Sequence, residues 1–170
     1  SSSSTQSILI RSLPVPTVNA NSPLCSGATL SLQATGAASY TWSGPSAFSA
    51  TVQTPTLPGV TGAAQGLYTV DATDSFGCQG QSNYSVTVLP VPSVSVSPSS
   101  PTVCLNLPAM LTASASTAGM TYTWSGPAGY SAAGATANIV SANSAAQQVY
   151  TVVGTAPNSC THVVTANLNT

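Results

Sequence analysis

Charge is what this sequence has least of. Its 170 residues include no Lys and no Glu; Arg11, Asp71 and Asp74 are the charged side chains, and His162 is the one imidazole. Charged residues make up 2% of the chain, where an ordinary globular protein has about 25%. Without clustered Lys and Arg there is no electrostatic footprint for phosphates, which excludes nucleic acid as a partner. One His and two Asp leave general acid–base catalysis almost without material, so the chain is not expected to be an enzyme. Apolar runs approaching the roughly 20 residues that span a bilayer are missing, so no membrane span is expected. The opening SSSSTQ lacks the basic and apolar regions of a signal peptide and reads as a processed N-terminus or an arbitrary boundary. Long runs with helical periodicity are absent as well, and the four cysteines do not have the spacing of a zinc site. No cofactor or metal is therefore expected.

What is present suits strands and turns: Ser, Thr, Ala and Val in quantity, with 13 Gly and 13 Pro. A hydrophobic content of 42% with so little net charge is not a disordered composition. A surface this uncharged also lacks the repulsion that keeps small soluble proteins apart, so self-association or a covering of sugars is expected.

The chain repeats itself. YTWSGP occurs at Tyr40 to Pro45 and again at Tyr122 to Pro127, and AAQGLYTV at Ala63 matches AAQQVYTV at Ala145 with the same offset. LPVP at Leu13 recurs at Leu89, Cys25 corresponds to Cys104, and Cys78 to Cys160. Each copy carries short segments that alternate apolar and small polar residues between Gly, Pro and Ser. In Leu30 to Thr35, for example, Leu30, Leu32 and Ala34 share one face. Six or seven such strands in about 80 residues predict a β-sandwich. The fold class is all-β: two tandem immunoglobulin-like sandwiches, residues 13–88 and 89–170, behind an extension of residues 1–12. The X-Pro-X-Pro joint between them is extended and stiff.

The series P-x-V, Cys, TLSL, YTWSGP and GLYTVDATDSFGC resembles the Ig-like and PKD-like tandem repeats of secreted and cell-surface proteins of Bacteroidetes, among them adhesins and gliding-associated proteins. The resemblance runs from Leu13 to about Thr170; copy two departs from it at Ala156 to Cys160. It implies an extracellular, cell-surface setting and a role as spacer, stalk or binding unit.

Trp42 and Trp124 fall on the third strand of each copy with Tyr40 and Tyr122 on the same face, which predicts core positions. Tyr68 and Tyr150 have the place of the sheet-corner tyrosine, whose hydroxyl ties back to backbone. Phe48 and Tyr130, in matched loops after WSGP, are the aromatic pair best placed to meet a partner. Asp71 and Asp74 have no counterparts in copy two, where Val153 and Ala156 stand, so a turn role for Asp74 is expected rather than calcium binding. His162 lacks a neighbouring acid and is expected to be structural. Asn83-Tyr84-Ser85 matches the N-glycosylation pattern.

Cys25, Cys78, Cys104 and Cys160 form an even set expected to be fully paired in an oxidising compartment. Pairing in order gives Cys25–Cys78 and Cys104–Cys160, which close loops of similar length, one in each copy. Strand order raises a competitor, because end-to-end stacking of two sandwiches brings Cys25 toward Cys160. The segment Ser7, Ile8, Leu9, Ile10, Arg11 runs into LPVP as Asn83 to Val88 does, so it reads as a surplus strand needing a partner. Added to a neighbouring subunit's sheet, it makes the chain a unit of an extracellular filament, stalk or adhesin. The alternative is a carbohydrate-binding or spacer module of a secreted enzyme, with a glycan or surface ligand as partner.

Overall fold

Alternation of apolar and polar side chains commits almost every regular segment to a strand with one wet face. The computed structural model describes residues 10–97, 102–140 and 148–169, and the chain divides into two compact units, Ser1–Leu89 and Pro90–Thr170.

In the first unit the strands are β1 (Thr17–Ala20), β2 (Leu24–Cys25), β3 (Leu30–Thr35), β4 (Ser39–Gly44), β5 (Phe48–Ala50), β6 (Thr56–Leu57), β7 (Gly66–Thr73), β8 (Gln79–Val86) and β9 (Val88–Leu89). They form a three-stranded sheet, β1-β3-β6, and a four-stranded sheet, β5-β4-β7-β8, with β2 and β9 pairing in parallel. Leu30, Leu32 and Ala34 of β3 are buried while Ser31, Gln33 and Thr35 are exposed. They meet Tyr40, Trp42, Tyr68, Val70, Ala72 and Val86 from the other sheet in one apolar core. Sheets of this order, sharing a core that includes a Trp on the third long strand, are an immunoglobulin-like sandwich.

The second unit repeats the plan with β10 (Val94–Ser97), β11 (Ala109–Ala115), β12 (Thr121–Ser125), β13 (Ser131–Ala133), β14 (Thr136–Ile139), β15 (Gln148–Thr155) and β16 (Thr161–Leu168). Its sheets are β10-β11-β14 and β13-β12-β15-β16, closed on Leu111, Trp124, Tyr150, Val152, Ala166 and Leu168.

The repeated YTWSGP motif has a packing reason. Trp42 donates its indole N–H to the Val52 carbonyl at 3.0 Å, and Trp124, its counterpart in the second copy, donates to the Gly134 carbonyl at 3.0 Å. Two residues after each Trp, a glycine lies under a tyrosine ring. A Cβ on Gly44 would come within 2.6 Å of Tyr68 Cδ1, and one on Gly126 within 2.5 Å of Tyr150 Cδ1. The proline that follows opens a tight turn in which Ser46 and Ala128 hold φ of 54° and 53°.

The cysteines correct the expected pairing. Cys25 and Cys160 are disulfide-bonded, whereas Cys78 and Cys104 are free thiols. The register explains why neither expected bridge forms. Cys25 pairs with Leu89, beyond the Val86 end of β8, while Cys78 sits in the turn at the opposite, Thr73–Gln79 end of the β7–β8 hairpin. Each of those strands is eight residues long, about 25 Å at the usual strand rise, and a disulfide needs Cα atoms within about 7 Å. In the second unit the Val103 amide donates to the Asn169 carbonyl, past the end of β16. Cys104 therefore lies one eight-residue strand away from Cys160, which precedes Thr161.

Candidate functional site

The sequence-predicted residues do not gather into one site. Trp42, Trp124, Tyr68 and Tyr150 are buried in their cores. Tyr68 donates its hydroxyl to the Ala64 carbonyl four residues upstream at 2.9 Å, the tie of a tyrosine corner. Tyr150 donates instead to Gln148 Oε1 at 3.0 Å, and Gln148 is itself buried. Burial raises the pKa of both hydroxyls above the usual value near 10, since the phenolate would lose its water; the neighbouring Tyr130 hydroxyl adds to the rise at Tyr150. Phe48 and Tyr130 are half-buried, each packed edge-on against the corner tyrosine of its unit with ring centroids 5.3 Å apart. They are committed to packing. Among the described residues, Phe76 is the one aromatic side chain that is exposed.

Asp74 builds a turn. Its Oδ1 accepts from the amides of Phe76 at 2.8 Å and Cys78 at 2.9 Å, which holds the β7–β8 reversal in shape. Ala156, at the matching place, cannot accept; there Asn158 accepts from the Cys160 amide at 3.1 Å and donates to the Pro90 carbonyl at 3.1 Å. Asp71 accepts from the Gln81 side-chain amide at 2.8 Å on an exposed sheet face. The Val94 amide donates to His162 Nδ1 at 3.2 Å, so this imidazole fastens β10 beside β16. Asn83 is exposed on β8. No group of three or more His, Cys, Asp or Glu that could hold a metal occurs among the described residues. No helix of those residues is long and apolar enough to cross a membrane.

Of the surplus strand, Ser7, Ile8 and Leu9 lie outside the described residues. Ile10 and Arg11 belong to no strand of this chain's own sheets, and Ile10 is 89% exposed. The Arg11 guanidinium lies 3.4 Å from the centroid of the Phe76 ring, a cation–π contact. Further along, the Pro14 carbonyl packs where a Cβ of residue 80 would be, so Gly80 is required there. Arg11 finds its partner in its own unit, and Pro14 and Pro16 have no amide hydrogen to give a ladder. Sequence reasoning missed Phe76 and the free thiols; DSFGC held both Phe76 and Cys78, but only the hairpin register shows where they end up.

The sheet order and shared core define the class: all-β and immunoglobulin-like. Among solved structures the chain is similar to the three N-terminal domains of the highly immunogenic outer capsid protein of bacteriophage RB49, at 18% identity and a TM-score of 0.44, over 92% of this chain and 58% of that one. It is also similar to the four N-terminal Ig domains of Dscam1 isoform 6.9 (17% identity, TM-score 0.39, 91% of this chain and 45% of that one). Murine CEACAM1b matches at 12% identity and a TM-score of 0.42, over 91% and 99% of the two chains. The chain spans about half the length of the first two. No protein-family model and no curated protein matches it.

Proposed function

We propose that the chain is a structural or adhesive unit of an extracellular filament, stalk or surface adhesin, built from an N-terminal segment (residues 1–12) and sandwiches at 13–88 and 89–170. The observation that carries this reading is the repetition of one rigid packing plan, down to the Trp-to-carbonyl bond and the ring pair, under an exterior almost free of ionisable groups. The scaffold occurs twice, with the same Trp-to-carbonyl bond and ring pair in each copy. Disulfide-bonded cysteines favour an oxidising compartment. The motif resemblance to Bacteroidetes surface repeats supports the cell surface. Assembly proceeds by strand addition, with Ser7–Arg11 laid on a sheet edge of a neighbouring subunit, which exchanges the Arg11–Phe76 contact within the unit for backbone pairing between subunits. A carbohydrate-binding module would call for an aromatic platform, and Phe76, the exposed ring, is occupied by Arg11.

The test is deletion of residues 1–12. Electron microscopy of the full chain should show fibres. The shortened chain should keep its circular dichroism and melt but remain dispersed. Normal fibres from the shortened chain would sink strand addition, and a full chain that stays monomeric at every concentration would sink the polymer reading altogether.

A further inference from the structure

The four cysteines occupy two kinds of place, and each kind is met once bonded and once free. Cys25 and Cys104 open the same tight turn. The Ala28 amide donates to the Cys25 carbonyl at 3.1 Å, and the Leu107 amide to that of Cys104 at 3.1 Å. The second residue after each cysteine holds positive φ, 88° at Gly27 and 65° at Asn106. Cys78 and Cys160 close the same hairpin turn. The amides of Asp74 and Ala156 donate to their carbonyls at 3.0 and 2.9 Å, and Gly77 and Ser159 before them hold φ of 85° and 66°. The bonded cysteines, Cys25 and Cys160, are one of each kind, and so are the free ones, Cys104 and Cys78.

A second observation separates the free places from the bonded ones. Cys104 is exposed and flanked by Leu105 and Leu107, which are 52% and 53% exposed; beside Cys78 stands Phe76, 62% exposed. At the bonded places the corresponding residues are Ser26, Ala28 and Asn158. Of these four places, only the two with unused thiols hold large apolar side chains that stay more than half exposed, Phe76 even with Arg11 over its ring, as expected of a contact surface that something else covers.

We propose that Cys104 of one copy of this chain forms a disulfide with Cys78 of the next. The bond joins the one unused cysteine of each kind, and it buries Leu105, Leu107 and Phe76. Each chain offers one cysteine of each kind, so a chain that bonds two different neighbours continues the series, whereas a reciprocal pair would close as a dimer with two bonds. The chemistry balances with a disulfide oxidant such as oxidised glutathione. The thiolate of Cys104 attacks it to give a mixed disulfide and one reduced glutathione, and the thiolate of Cys78 then displaces the second glutathione. Two thiol protons leave and two glutathione thiols are formed. This deepens the structural reading, on which it rests, by naming a covalent link.

The experiment treats the folded 170-residue chain with oxidised glutathione and separates the products without reduction. A ladder of multiples of the monomer is expected, with a Cys78–Cys104 peptide in its digest. Cys78→Ser and Cys104→Ser should each stay monomeric, while their equimolar mixture should give a dimer and nothing larger. Native circular dichroism of both variants guards against misfolding. Native thiols that stay fully alkylatable with no ladder, or a dimer from Cys78→Ser alone through Cys104–Cys104, would overturn the proposal. Sedimentation of the Cys78→Ser/Cys104→Ser double variant without reductant, which keeps the disulfide-bonded Cys25 and Cys160 intact, reads non-covalent association separately, so loss of the covalent link and loss of the filament reading are told apart.

Discussion

A tyrosine hydroxyl in a protein core is comfortable only while it keeps its proton. Tyr68 and Tyr150 are buried and each donates one hydrogen bond, and desolvation raises both above the ordinary value near 10. In the unfolded chain the same groups lose their protons at that ordinary value. Stability from this source is fully present below about pH 10 and falls as pH rises through the folded values, because the unfolded state then binds fewer protons. Thermal melts between pH 8 and pH 12 should show a plateau followed by a steep decline. Tyr68→Phe should flatten part of that decline; an identical profile in the variant would show that the loss arises elsewhere. At the same scale, Gly44 and Gly126 show why a motif recurs: each leaves room for a tyrosine ring, and an added methyl there must displace an aromatic core residue.

At the scale of elements, the hairpins show how two copies reach one shape by different chemistry. The β7–β8 turn is organised by Asp74, which accepts two amides; the β15–β16 turn relies on Asn158. Asp74→Ala leaves the Phe76 and Cys78 amides to water and should cost about 1–2 kcal/mol, the range of a charge-assisted pair at a partly exposed place. Differential scanning calorimetry should show a correspondingly lower melt, and Asp74→Asn should recover much of the loss. An unchanged melt would show that the backbone bonds of the turn suffice. The N-terminal segment reads in sequence as a strand that needs a partner; its described part, from Ile10 on, joins no sheet of its own chain and is held by Arg11 on Phe76 and by Pro14 against Gly80. Those contacts join residues far apart in sequence, and no local pattern announces them.

For the whole molecule the scarcity of charge has a measurable consequence. Screening by salt acts on charged pairs, and with one Arg and two Asp there is almost nothing to screen. Melting temperature and association constant should stay flat from low salt to molar sodium chloride, apart from the general salting-out rise at the top of the range. A marked loss of association at moderate salt would point to an ionic contact and away from uncharged faces packing together.

The all-β class and the duplication could be read directly, because both depend on periodicities, of the alternating side chain and of the repeat, which are properties of the linear chain. SYTWSG places Tyr40 and Trp42 on one face whatever lies opposite, and both are buried. The state of the cysteines could not be read this way. Their spacing along the chain measures how much loop a bridge would close, but a bridge is permitted by distance in space. Two antiparallel eight-residue strands set Cys25 and Cys78 at opposite ends of one sandwich, and β16 does the same to Cys104 and Cys160. The tertiary structure alone decided which thiols are used and which remain, because strand register converts a position along the chain into a position at one end of a sheet or the other.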